Sequence, residues 1–105
     1  MFDVSCERAG DRHCLIVEGE IDVATAVPLR EQLLNCAEDA SEVVLDLTLV
    51  TFCDSQGMNL FVWFHQKLPR FFILIPEGHV LNRWMSICGL QKFLRIVGSY
   101  QDIPG

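Results

Sequence analysis

The sequence has 105 residues, half of them hydrophobic, with a formal net charge of −6 at pH 7. This length is typical of one domain, and the hydrophobic content excludes an acidic disordered chain. The acidic balance argues against nucleic acid and anionic membranes as partners, because both bind clustered Lys and Arg, so we expect one domain over residues 1–105 that binds proteins.

The chain also predicts a compartment. Its N-terminus, MFDVSCERAG, has no basic region followed by an apolar core, and the apolar runs are too short to cross a bilayer, so we expect a cytoplasmic protein. The five cysteines are widely spaced without a C-x-x-C pair, which favours reduced thiols over a disulfide framework. Cys36 and Cys88 fall on apolar faces, and we expect both in the core, where a free Cys behaves as a small hydrophobe.

The first third of the chain predicts two strands and a helix. CLIVEGE over residues 14–20 reads as a strand with a buried face, and residues 2–6 as a shorter edge partner. Asp22 is placed to cap the helix that follows, and Pro28 lies near its first turn, where a missing N–H does little harm. The apolar positions of this segment recur at helical spacing: Leu29, Leu33, Cys36 and Ala40.

The rest of the chain alternates in the same way. Residues 41–47, 71–75 and 93–97 read as strands, the second of them buried on both faces. Asp54 or Ser55 is a good N-cap for a helix that ends near Leu68. A third helix is expected over residues 79–88, with Gly89 as its C-terminal cap. We assign four residues to its inner side: Val80, Trp84, Ile87 and Cys88.

Strands that alternate with helices at this spacing predict an α/β fold, a mixed sheet of about four to five strands with helices packed against it. Within the second helix, a turn of 100° per residue places Gly57, Phe61, Phe64 and Leu68 on the core face. The opposite face carries Ser55, Asn59, Val62 and Gln66, with Gln56, Trp63 and Lys67 beside it. The Ser55 hydroxyl is therefore predicted to face outward.

Several roles are open for this outer face. Val62 and Trp63 could belong to a binding surface. Alternatively, Trp63 folds back over a neighbouring loop or is simply a partly exposed aromatic. Ser55 is either a plain helix cap or a hydroxyl that accepts a phosphoryl group, which free N–H groups at a helix start favour and an adjacent Asp54 opposes. A phosphate on a binding face adds a bulky anion and removes a partner by repulsion and desolvation.

An enzyme built on Ser55 is disfavoured, because CDSQG lacks the glycine two residues before the serine that a nucleophile elbow requires. His13, His65 and His79 are bases by type only, and a structural or solvated role is expected for each. No His or Cys pair has a ligand-like spacing, so we expect no metal site.

Two long motifs carry a resemblance to a known family. VVLDLTLVTFCDSQGMNLFV, residues 43–62, resembles a pattern of the anti-sigma factor antagonists: a hydrophobic strand, an acid, a short loop ending in Phe, then Asp-Ser-x-Gly and an aliphatic helix. LIVEGEIDVATAVPLREQLL, residues 15–34, resembles their second signature, a strand ending in Gly-Glu-aliphatic-Asp before the first helix. The resemblance covers nearly the whole chain and implies a single STAS domain, the fold shared with the tails of sulphate transporters.

The resemblance implies a partner-switching role without enzymatic activity or a cofactor. Such proteins bind a cognate anti-sigma factor, often a serine-protein kinase, and so free a sigma factor for transcription. The kinase phosphorylates the serine of Asp-Ser-x-Gly, here Ser55, which abolishes binding until a phosphatase reverses it. Asp22 and Asp54 match family positions near the partner surface. The predicted binding residues are Asp22, Asp54, Ser55, Gln56, Asn59, Val62 and Trp63.

Two alternatives stay open beside this role. A STAS module can also act as an unphosphorylated scaffold or sensor in another partner-switching pathway. Cys53 stands where an aliphatic residue is more common in the family, and it is either a redox-sensitive neighbour of Ser55 or a buried, inert thiol, since apolar burial raises a thiol pKa.

Overall fold

The computed structural model describes residues 1–104. In chain order the elements are β1 (Phe2–Ala9), β2 (Arg12–Ile21), α1 (Val23–Ala37), β3 (Glu42–Cys53), α2 (Ser55–Lys67), β4 (Phe71–Leu74), α3 (Val80–Cys88) and β5 (Ile96–Val97). Short 3₁₀ turns occupy Leu90–Lys92 and Tyr100–Asp102. The five strands form one sheet in the order β1-β2-β3-β4-β5, with β1 antiparallel to β2 and every other pair parallel. The predicted α/β fold with a mixed sheet is confirmed.

All three helices pack on one face of the sheet. Two parallel strands that are consecutive in sequence need a crossover connection. Because the strand order follows the sequence from β2 to β5, every crossover runs in the same direction along the sheet, and right-handed crossovers then place every helix on the same face. The main core joins alternate strand residues, such as Leu45 and Leu47, to the inward side chains of the helices, such as Leu33 and Phe61. The other alternate strand residues point away from the helices. On that face, Ile103 packs with Cys14, Val44, Phe72 and Leu74.

The central strand β3 is longer than predicted. It runs on to Cys53, so the segment expected as a short loop before Asp54 is strand paired with β2. Register shifts between Ile16 and Glu18 and between Gly19 and Glu20 let β2 follow this extension. Helix α1 also begins earlier than the position of Pro28 suggested, since Pro28 is its sixth residue and lies beyond the first turn. The helix tolerates the loss of one backbone hydrogen bond there.

The predicted inner face of α3 is wrong. The structure buries Leu81 and Met85, whereas Val80, Trp84 and Ile87 are 54%, 45% and 72% exposed. Helix α3 carries two apolar stripes at helical spacing, and periodicity alone cannot select the one that packs on the sheet. Gly89 does cap the helix, with the left-handed backbone (φ 73°) that glycine adopts without strain.

The expectation of five reduced thiols is also wrong. Cys6 and Cys36 form a disulfide that ties β1 to the last turn of α1 across a separation of 30 residues. Cys36 is buried, as predicted, but Cys88 is exposed rather than in the core. The spacing in the sequence does not reveal this pair, because Cys6 and Cys36 meet only when α1 packs over the β1–β2 hairpin.

An ion-pair cluster around one buried carboxylate lies at the opposite edge of the sheet from the start of α2. The Glu42 carboxylate pairs with the guanidinium groups of Arg12 and Arg70. Burial alone would raise the pKa of Glu42, but the hydrogen bonds from Arg70 and Arg12 outweigh it and hold the pKa below its usual 4.5.

None of the helices within residues 1–104 combines the length and the apolar character needed to cross a bilayer.

Candidate functional site

The candidate site lies where β2 and β3 end side by side. Ile21, the last residue of β2, pairs with Cys53, the last residue of β3, and the Asp54 N–H donates to the Ile21 carbonyl (3.0 Å). Each strand is followed by one aspartate and then a helix. Because the two strands are parallel neighbours, Asp22 and Asp54 start α1 and α2 at the same edge of the sheet.

Both aspartates are helix caps. Asp22 Oδ1 accepts from the N–H groups of Ala24 (2.9 Å) and Thr25 (3.1 Å), and the Asp22 N–H donates to Thr25 Oγ1 (2.8 Å), which completes a capping box. Asp54 Oδ1 accepts from the N–H groups of Gln56 (2.9 Å) and Gly57 (3.3 Å). The N-cap of α2 is therefore Asp54, and the alternative that Ser55 serves as the cap is removed.

Ser55 is the first residue of α2 and is exposed, as are Gln56 and Asn59. Its hydroxyl faces outward, as the helical spacing predicted. Two backbone N–H groups that could otherwise bind an anion at this helix start, those of Gln56 and Gly57, already donate to Asp54. A phosphate on Ser55 would thus gain little from the backbone and would lie beside a carboxylate.

Val62 and Trp63 are half-buried on α2, about two turns beyond Ser55. The Trp63 ring meets the Phe64 ring edge-on, with centroids 4.9 Å apart, and the Arg30 guanidinium of α1 lies 5.0 Å from the Trp63 centroid. Trp63 therefore lies partly exposed in the seam between α1 and α2, where it packs against a helix and not over a neighbouring loop. A role for Val62 and Trp63 in binding stays a prediction.

Gly57 lets α2 start close to the sheet. A Cβ at this buried position would lie 2.4 Å from Cys53 Sγ and 2.7 Å from Ile21 Cγ2, inside any normal contact distance. Only glycine allows this approach, so the glycine of Asp-Ser-x-Gly positions the preceding serine through packing. The sequence assigned Gly57 to the core face but gave no indication of how little space it has.

A cavity of about 490 Å³ opens beside Ser55. It lies between the end of β3, the first turns of α2 and the outer side of α3. Its walls are mainly apolar, and its lining residues are Phe52, Cys53, Asp54, Ser55, Met58, Asn59, Trp84, Cys88 and Leu90. The sequence did not reveal this cavity, because the predicted core face of α3 included Trp84 and Cys88. The one indication was that α3 has more apolar residues than one face can bury.

The thiol next to the site is buried. Cys53 is 2% exposed, and burial, followed by the charge of Asp54, raises the pKa of the thiol to about 12. At neutral pH the nucleophilic thiolate is therefore almost absent, which favours the inert alternative over a redox-sensitive one.

The three histidines have structural surroundings. His13 is buried and its Nδ1–H donates to a backbone carbonyl at the end of α1 (2.6 Å). His79 caps α3 and donates from Nε2 to a backbone carbonyl of β3 (3.1 Å). His65 contacts Arg95, and burial, followed by the charge of Arg95, lowers the pKa of its ring. Within residues 1–104, no histidine lines the cavity at Ser55, and no three His, Cys, Asp or Glu side chains are grouped to hold a metal ion.

Comparisons with known proteins support the fold. A family model described as the STAS domain matches residues 5–103. The anti-sigma-F factor antagonist RsfB of Mycobacterium tuberculosis is 30% identical over 91 residues, which cover 84% of this chain and 75% of that protein. The crystal structure of an anti-sigma factor antagonist from Mycobacterium paratuberculosis superposes with a TM-score of 0.87 at 23% identity, over 98% of this chain and 91% of that one. The Bacillus cell fate determinant SpoIIAA, in its phosphorylated form, superposes with a TM-score of 0.66 at 15% identity, over 97% and 95%.

Proposed function

Since this chain belongs to the STAS domain family, we propose that it acts as an anti-sigma factor antagonist, which binds a cognate anti-sigma factor and so frees a sigma factor for transcription. The relative from Mycobacterium tuberculosis is described as an anti-sigma-F factor antagonist. The observation that carries the proposal is the exposed Ser55 at the first position of α2, behind a cap that Asp54 already supplies. The protein is a binding regulator rather than an enzyme, and the cytoplasm, where sigma factors act, is its proposed location.

The proposed partner surface is the edge at which α1 and α2 begin. Asp22 and Asp54 hold the two helix starts next to each other, and their carboxylates are partly exposed there. Ser55, Gln56 and Asn59 project from the first turns of α2. Val62 and Trp63 extend this surface along α2 toward α1. A rigid, closely packed base for these side chains reduces the entropy lost on binding.

We propose that phosphorylation of Ser55 switches this binding off. A phosphoserine carries about −1.5 to −2 charges at pH 7. Because the Asp54 carboxylate already accepts the Gln56 and Gly57 N–H groups, the phosphate lacks the compensation that a free helix start would offer. The charge of the phosphate is therefore not compensated within the domain and faces the partner. A hundredfold loss of affinity needs only about 2.7 kcal/mol, which repulsion and desolvation at a contact surface can supply.

This scheme needs two enzymes outside the chain. The anti-sigma factor itself, as a serine-protein kinase, would phosphorylate Ser55 when bound at this surface. A serine phosphatase acting on the phosphorylated form would restore binding. The antagonist serves as the substrate of both and contributes no cofactor.

The test uses purified full-length chain, ATP and the candidate anti-sigma factors of the same genome. We expect phosphoryl transfer to Ser55, located by mass spectrometry, and none to the Ser55→Ala variant. Isothermal titration with the kinase that modifies Ser55 should give tight binding for the wild type and for Ser55→Ala. The Ser55→Asp variant should bind at least about 100-fold more weakly.

Ser41 provides the matched control, because it is also exposed but lies at the opposite edge of the sheet, before β3. Ser41→Asp adds the same charge and should leave the affinity unchanged. Normal binding by Ser55→Asp would contradict the switch and favour a STAS scaffold or sensor that is not phosphorylated. Equal losses in both serine variants would show that net charge, and not position, weakens the complex.

A further inference from the structure

Helix α3 presents an apolar face that the domain leaves uncovered. Leu81 and Met85 are almost fully buried and account for its packing on the sheet. Val80, Trp84 and Ile87 recur at i, i+4 and i+7 on the other side, and each is close to half exposed or more. Side chains of this kind at helical spacing form a continuous stripe. We call this stripe, with the cavity beside it, the α3 groove.

The α3 groove opens on the residue that the proposed switch uses. Phe52, Met58 and Trp84 supply apolar walls, whereas Asp54, Ser55 and Asn59 form a polar rim at one end. A partner that covers Ser55 must therefore lie over the mouth of the cavity as well. An apolar, concave site beside a polar rim is the arrangement in which interface anchor residues bind most strongly.

We propose that the α3 groove receives an apolar anchor side chain, aromatic or aliphatic, from the anti-sigma factor, flanked by a Lys or Arg that pairs with Asp54. This inference rests on the proposed function and specifies its partner surface. The charge of the chain, −6, and the carboxylate at the rim favour a cationic flank. The continuity of the cavity with Ser55 favours the partner that Ser55 controls over an unrelated ligand.

This arrangement gives the phosphate a specific effect. A phosphate on Ser55 lies at the mouth of the cavity, where an entering apolar side chain would have to strip water from it. The phosphate also competes with Asp54 for the flanking Lys or Arg. This competition draws the cation away from its position beside the anchor. The anchor is excluded because its entry would strip water from the phosphate, a cost that one displaced cation does not offset.

Cys88 allows the occupancy of the groove to be measured without introducing a new cysteine. It lines the cavity and is the one exposed free thiol among residues 1–104, since Cys14 and Cys53 are buried. The experiment follows the rate of N-ethylmaleimide addition to Cys88 by mass spectrometry, with and without the purified anti-sigma factor that phosphorylates Ser55 in the assay above. The Ser55→Ala variant is used so that no modification intervenes. We expect saturating partner to slow the addition at least about tenfold.

Two substitutions test the apolar contact. Trp84→Ala should raise the dissociation constant about 30-fold, the loss expected for an interface hot spot. Ile87→Glu, at a side chain that is 72% exposed, should weaken binding without removing packing from the core. Leu34 on α1 has the same exposed fraction as Trp84, 45%, and does not line the cavity, so Leu34→Ala and Leu34→Glu serve as matched controls. Unfolding midpoints of all four variants verify that they fold.

The outcomes separate the two proposals. If Ser55→Asp abolishes binding but Cys88 stays reactive in the complex and both groove variants bind normally, the anchor proposal is overturned and the switch survives. If no anti-sigma factor binds the wild type, both proposals fail. If Cys88 becomes protected as the concentration of this chain alone rises, the groove joins two copies of the chain, which also overturns the proposal.

Discussion

The prediction that most directly tests the geometry of the site is the Gly57→Ala substitution. Gly57 is the third residue of α2, buried where the helix approaches the ends of β2 and β3. The added methyl would lie 2.4 Å from Cys53 Sγ and 2.7 Å from Ile21 Cγ2. Both neighbours are themselves buried, at 2% and 0% exposure, so neither can turn aside into solvent. The start of α2 must therefore shift outward.

The magnitude follows from two opposing terms. Forcing an extra methyl into a close-packed core costs about 1–3 kcal/mol, and two contacts this short place Gly57→Ala in the upper part of that range. Replacing glycine by alanine inside a helix returns at most about 1 kcal/mol, and less in a first turn. We expect a net loss of about 2 kcal/mol in the free energy of unfolding, which lowers the Tm of a domain this size by about 10 °C.

Urea unfolding followed by circular dichroism measures the effect. Gly98 is the control, because a methyl there meets only an Asp102 carboxylate oxygen at 3.7 Å, and Gly98→Ala should change the stability by less than about 1 kcal/mol. The Cys53→Ala variant removes the nearer clash, so the double variant with Gly57→Ala should lose less than the sum of the two single variants. Unchanged stability of Gly57→Ala, or strict additivity, would refute the proposed role of the glycine.

Three further predictions concern the cysteines and the ion pairs. Reduction of the Cys6–Cys36 disulfide, which closes a loop of 30 residues, should lower the free energy of unfolding by about 3–4 kcal/mol. The lowered pKa of Glu42 means that its carboxylate stabilises the fold fully above about pH 4.5, and that this contribution is lost as the pH falls through the lower pKa of the folded state. Urea midpoints between pH 7 and 3 should therefore fall more steeply for the wild type than for Glu42→Gln. Iodoacetamide at pH 8 should label Cys88 in the folded protein and leave Cys53, whose pKa is raised to about 12 by burial, unmodified.

Each of these has a direct control. The Cys6→Ala variant should be insensitive to reductant, and an equal response to reductant in both proteins would exclude the disulfide as the cause. Parallel pH profiles for the wild type and Glu42→Gln would show that the carboxylate contributes nothing specific in acid. Denaturation before labelling should expose Cys53, so failure to label it then would point to a blocked thiol rather than to burial.

Much of the site could be predicted because it depends on interactions within a few residues. The acid before a helix start, at Asp22 and at Asp54, satisfies backbone amides two and three residues on, and such a cap is readable from the sequence. Once the start of α2 is known, the 3.6-residue period assigns Ser55 to the outer face and Phe61 to the core. The strands of the α/β fold follow from equally local alternation and apolar runs.

The tertiary structure alone decided the features that depend on residues distant in sequence. Helix α3 has two apolar stripes, and only the position of the sheet determines that Leu81 is buried and Trp84 exposed. The pairing of Cys6 with Cys36 exists because α1 crosses the first hairpin, and the cavity beside Ser55 exists because β3 extends beyond β4 to meet α3. Periodicity and capping reflect interactions between residues that are close in sequence. Which face of a helix is buried depends instead on long-range contacts, because the alternative packings have nearly equal local energies.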